Sequence, residues 1–139
     1  MKLNLENDYG FRIIYAFCKN PKGEILTALQ LSQELLIPER FTYRILRKLM
    51  AADLIESIRG PKGGYVLCKD PKDISLYDVY TAISGDLVIN ACVNEGLCDA
   101  GSKMGHCAVH NSLTGIQNTL LDEFKSVIFS DLVKEEKNI

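Results

Sequence analysis

The sequence has no tryptophan, only four prolines and only two histidines in 139 residues. No apolar run approaches the roughly 20 residues that a membrane span requires, and the opening MKLNLENDYG lacks the apolar core of an export signal. Both histidines, His106 and His110, fall in one segment, and there is neither a Ser/His/Asp pattern nor a phosphate-binding glycine loop. The length excludes a barrel enzyme. These absences argue against catalysis and against a membrane span. They lead to the expectation of a soluble cytoplasmic protein, either one compact domain or a small domain with a helical extension.

What is present is more pointed. A hydrophobic fraction of 47% and a charged fraction of 24% suit a globular chain. The net charge of -2 hides a division: residues 1–73 carry 12 Lys+Arg against 9 Asp+Glu, whereas residues 74–139 carry 4 against 9. Between Arg40 and Lys72, eight basic residues face three acids. Charge segregated in this way can support a nucleic-acid surface on a near-neutral protein.

Periodicity and punctuation give the elements. A helix over about 7–19 carries Phe11, Ile14, Tyr15 and Cys18 on one face and stops before Asn20-Pro21-Lys22-Gly23. Thr27 and Gln30 form a capping box for a second short helix, and Pro38 suits the first turn of a third that runs to about Ala52. On this third helix Arg40, Tyr43, Arg44 and Arg47 share one face, while Phe41, Ile45 and Leu49 share the other. Guanidinium groups so placed can grip phosphates or pair with guanine in the major groove. The segments 54–58 and 65–68 then read as two strands around Arg59-Gly60-Pro61-Lys62-Gly63-Gly64, a tight basic hairpin whose tip carries Arg59 and Lys62. Helix, turn, helix and hairpin make a winged helix-turn-helix that binds double-stranded DNA. Ser75 and Asp78 open another short helix ending near Gly85.

Five cysteines in a chain with no export signal are not a disulfide framework. Cys18 continues an apolar helix stripe and Cys68 ends a wing strand, so both are expected as packed thiols. Cys92, Cys98, Cys107 and His110 have the spacing C-x5-C-x8-C-x2-H in a segment punctuated by Gly96, Gly101 and Gly105, which is expected to be a loop. Three thiolates and an imidazole suit tetrahedral zinc or an iron–sulfur cluster, and the thiols can also be free and reactive. Beyond them, Leu113, Ile116, Leu120, Leu121, Phe124, Val127, Ile128 and Leu132 predict one helix over about 111–133, roughly 35 Å long. A chain of this size has little core to cover such a stripe, so a second copy is expected to bury it.

The segment IRGPKGGYVL (58–67), with the preceding 38–54 helix and the opening NDYGFRIIYAF, resembles the Rrf2 family of bacterial winged-helix transcription regulators over essentially the whole chain. The resemblance implies a homodimer on a roughly palindromic operator. Its iron–sulfur branch, of the IscR and NsrR type, implies a 2Fe–2S or 4Fe–4S cluster on Cys92, Cys98 and Cys107. The first cysteine interval fits that branch and the second is longer. His110 matches the fourth ligand of IscR-like members, and Asp8 matches the N-terminal aspartate available to NsrR-like members. The family also contains cluster-free regulators of the CymR type, which sense through thiols or a partner protein.

The resulting expectation is a mainly α fold with a small β wing. Residues 1–73 form the winged helix-turn-helix, and residues 74–139 form a sensor loop and a long C-terminal dimerisation helix. The protein is read as a non-enzymatic regulator whose operator binding is controlled by the cluster.

Overall fold

The computed structural model describes residues 2–94 and 107–137. Cys98 and His106 lie outside the described residues. Helix α1 (Leu5–Lys19) begins two residues earlier than its periodicity suggests, because Asn4 caps it. The Asn4 side chain accepts from the Asn7 amide at 2.9 Å while Asn7 Oδ1 accepts from the Asn4 amide at 3.0 Å, so asparagine does here what Glu or Gln does in the usual capping box. Helix α2 (Ala28–Leu35) has the expected box: Thr27 receives the Gln30 amide and Gln30 returns the bond. Leu36 adopts a left-handed conformation and turns the chain. Helix α3 (Glu39–Ala51) follows, with Pro38 as its cap, one position before the first turn.

Strands β1 (Ile55–Ile58) and β2 (Gly64–Leu67) pair antiparallel, Ile55 opposite Leu67 and Ile58 opposite Gly64. Reciprocal backbone bonds between Leu26 and Tyr65, at 2.9 and 2.8 Å, fasten this wing to the segment before α2. A single 3-10 turn (Pro71–Asp73) leads to α4 (Leu76–Ser84), boxed by Ser75 and Asp78 and ended by Gly85. Then come α5 (Ala91–Asn94), α6 (Ala108–Ser126) and α7 (Phe129–Lys137).

Two expectations are corrected. The C-terminal stripe is two helices rather than one: Val127 and Ile128 leave the helical path and pair with the entry to α4, with Leu76 N donating to Val127 O and Phe129 N to Ile74 O, both at 2.9 Å. No Gly or Pro marks this break. Two β-branched residues and a waiting backbone partner suffice. Helix α7 then returns against α1, where Tyr15 donates to Glu136 Oε2 at 2.6 Å. Because α1 is covered on one side by α3 and α4 and on another by α7, Ile13, Ile14, Phe17 and Cys18 are buried while Phe11 and Tyr15 are half-buried. The second correction concerns Cys68. It is exposed, because the two-stranded wing has no third layer to cover it, whereas Cys18 is buried as expected.

One core unites these elements. Ile13 and Ile14 of α1, Leu31 of α2, Ile45, Leu46 and Leu49 of α3, Leu54 and Ile55 of the wing, Ile74, Val79 and Ile83 around α4, and Phe129 of α7 pack as a single cluster. No helix among the described residues is long and apolar enough to cross a membrane.

Candidate nucleic-acid interface and cysteine centre

The core faces of α3 are Thr42, Ile45, Leu46 and Leu49, so its opposite side is turned outward. Arg40, Tyr43, Arg44 and Arg47 are all exposed, and Phe41, expected inward, is half-buried. Arg59 and Lys62 are exposed at the wing tip. All six sequence-predicted contact residues therefore lie on solvent-facing surface. The wing turn is closed by Gly63 N donating to Gly60 O at 2.9 Å, with Gly60 at φ +111°. A Cβ on Gly63 would stand 2.1 Å from the Ile58 carbonyl oxygen, so only glycine fits there.

The structure adds two residues that the sequence did not single out. Glu6 of α1 reaches across to α3: its Oε1 lies 2.8 Å from Arg44 Nε and its Oε2 accepts from Lys48 Nζ at 3.2 Å. Lys48 Nζ also donates to the Ile83 carbonyl of α4 at 3.1 Å. The second is Gln117, the only buried residue of α6, whose side chain holds the chain leading to the cysteines. It accepts from Ile89 N at 2.9 Å and donates to Leu87 O.

Cys92 lies in α5, a helical turn where a loop was expected, and Cys107 is the cap residue of α6. Helices α5 and α6 pack on each other. The Cys107 side chain makes no capping hydrogen bond. Asn90 Nδ2 donates to Cys92 Sγ at 3.3 Å. His110 sits in the first turn of α6, with Nε2 3.5 Å from Thr114 Oγ1. Asp8 is exposed on α1 and faces Arg12 at 3.5 Å, on a helix packed against α2, α3, α4 and α7. The donor set is thus chemically suited to a cluster or zinc, with Cys107 and His110 contributed by one segment. Among the described residues, no three His, Cys, Asp or Glu side chains form a metal-holding group.

The other thiols are of a different kind. Burial, with Asp70 secondary, pushes Cys18 up to about 12. Cys68, though exposed, is also raised, first by desolvation and then by Glu56 and Asp53. Neither is a ready thiolate.

A family model described as "Rrf2: Iron-dependent Transcriptional regulator" matches residues 3–135. The chain belongs to the Rrf2 family. The resemblance read from the wing sequence is thereby borne out, and so is the fold class. The Rrf2 protein is 28% identical to the transcriptional regulator NsrR of Bacillus subtilis, a match covering 100% of this chain and 94% of that one. Its fold is similar to that of CymR, the global cysteine regulator of B. subtilis, at TM-score 0.80 and 21% identity over 97% of this chain and 98% of that one. It is also similar to IscR of T. potens, at TM-score 0.77 and 17% identity over 98% and 88%. The Rrf2 protein is therefore a transcriptional regulator with a winged helix-turn-helix fold.

Proposed function

We propose that this Rrf2 regulator binds an operator through α3 and the wing, and that an iron–sulfur cluster held by Cys92, Cys98, Cys107 and His110 controls that binding. The observation that carries the reading is the uncovered basic face of α3 in a chain whose Cys92 lies on α5, a turn packed on α6, and whose Cys107 caps α6. When bound, the cluster supplies a tie that is sensitive to iron, oxidants and nitric oxide. The chain's own part is to carry the state of that tie. Gln117 clasps the backbone at Leu87 and Ile89, just past the end of α4, and α4 packs on α1 and α3. In this division of labour residues 1–73 read DNA and residues 74–139 sense and dimerise, with no catalysis.

The exposed apolar side of α6 supports a homodimer. Val109 and Ile116 are exposed and Leu113 and Leu120 only half-covered, which leaves an apolar strip along a helix about 28 Å long. A twofold copy would cover it and space two α3 helices for successive major grooves.

Protein purified without oxygen is expected to be brown, to absorb between about 320 and 460 nm, and to contain iron and sulfide. Cys92→Ala should bleach it. His110→Ala should bleach or shift the spectrum while Asp8→Ala leaves it unchanged; the reverse result assigns the fourth place to Asp8. Colourless wild-type protein, with stoichiometric zinc or no metal, would sink the cluster reading and favour a thiol-sensing regulator of the cluster-free type.

On the DNA side, Arg47→Ala is expected to weaken operator binding by about 1–3 kcal/mol if Arg47 reads a base, with discrimination relaxed at one position. Loss of equal size on operator and random duplex would make it a phosphate contact instead. No loss on either would remove Arg47 from the interface.

A further inference from the structure

Arg44 and Lys48 stand one turn apart on α3, and one carboxylate from a different helix serves both. That carboxylate is well placed to compete with DNA. The Glu6 side chain is only 22% exposed, whereas Arg44 is 56% exposed, so the acid lies behind the cation rather than in front of it. Glu6 Oε1 is shut off from water and accepts no aligned hydrogen bond among the described residues, so the Arg44 guanidinium 2.8 Å away is its compensation. Lys48 is fixed from two sides, by Glu6 Oε2 and by the Ile83 carbonyl. Glu6 is itself held in register, because its neighbour Asn7 is buried, completes the α1 capping box and donates to Ser84 Oγ at 2.7 Å.

Two cations and one half-buried acid carry a net charge of one, not two. A phosphate approaching this part of α3 meets half the charge that the sequence of α3 advertises, and it must displace a preformed counter-ion to use the rest. A guanine edge, which is a neutral pair of acceptors, does not require that displacement. We propose that Glu6 is a specificity-determining residue of the DNA-binding surface: it acts through Arg44 and Lys48 as an internal counter-ion, suppressing indiscriminate phosphate binding while leaving Arg44 able to read a base. The inference rests on the proposed role of α3 in DNA reading.

The test uses full-length dimer and two duplexes: one recovered from a randomised library by the wild-type protein, and the same duplex with its sequence shuffled. Affinities for both are measured over a series of salt concentrations. Glu6→Gln keeps the shape and removes the charge. It is expected to raise affinity for the shuffled duplex about three- to tenfold, to steepen the log–log salt dependence by about one to two, and to lower the ratio of specific to non-specific affinity by about tenfold. Glu6→Asp, which keeps the charge but withdraws it by one methylene, should shift all three in the same direction, which separates the contact from net charge. In an Arg44→Ala/Lys48→Ala background, Glu6→Gln should change none of them. An unchanged affinity ratio and salt slope in both single variants overturns the proposal, as does an effect that persists in the double-alanine background. If wild-type protein enriches no duplex at all, the DNA-reading role of α3 itself fails, and this inference fails with it.

Discussion

Phe129→Ala is expected to remove about 3–5 kcal/mol of stability, as large aromatic truncations in a closed core do. Phe129 is 1% exposed, packs in the same cluster as Ile13, Ile74 and Val79, and donates its amide to Ile74. Among the cluster's fully buried members it is the last in the chain. Urea unfolding at fixed protein concentration would show the midpoint falling with the slope unchanged. Ile116 is the natural comparison. It belongs to the apolar stripe read from the sequence, which did not include Phe129, and is 58% exposed on α6, so Ile116→Ala should act on the monomer–dimer equilibrium rather than on the fold. A cost below about 1 kcal/mol for Phe129→Ala would mean that α7 is an appendage and not part of the core.

Gly63→Ala should disable the wing. The added carbon would stand 2.1 Å from Ile58 O, in the β1–β2 ladder, and 2.9 Å from Gly60 O, bonded across the turn to Gly63 N; both are backbone atoms, so no side chain can step aside. The turn has to open, which displaces Arg59 and Lys62 together. With two cations lost from the interface, affinity at moderate salt is expected to fall by at least about tenfold and the salt slope to flatten by up to two. Circular dichroism of the helices should be unchanged, since α1 to α4 do not depend on the hairpin tip. Wild-type affinity and slope in this variant would remove the wing from the DNA interface.

The sequence disclosed those parts of the fold whose determinants lie within a few residues of one another. The boxes at Thr27/Gln30 and Ser75/Asp78 and the glycine-bearing hairpin are local chemistry, and each stands where its residues put it. The face of α3 was legible for the same reason, since 3.6-residue periodicity needs no partner. What escaped is set by distant chain. The helix break at Val127 depends on free backbone groups at Ile74 and Leu76, and a stripe that continues without Gly or Pro gives no sign of them. Glu6 reads as an ordinary first-turn acid until α1 crosses α3. Cys68 alternates like a packed strand residue, and only a sheet that stops at two strands leaves it in the open. At the cysteine centre, donor types and spacing were readable. The packing of α5 on α6, and the clasp by Gln117, were not.

The return of α7 also bears on synthesis. The core that holds the recognition helix is closed by a residue from near the far end of the chain, and Tyr15 of the first helix is bonded to Glu136 of the last. As the chain leaves the ribosome, α1 to α4 and the wing emerge before the Phe129 side chain that packs in their core. The core behind α3 is therefore completed only after α7 has been made, so α1 to α4 and the wing reach their final packing late in synthesis.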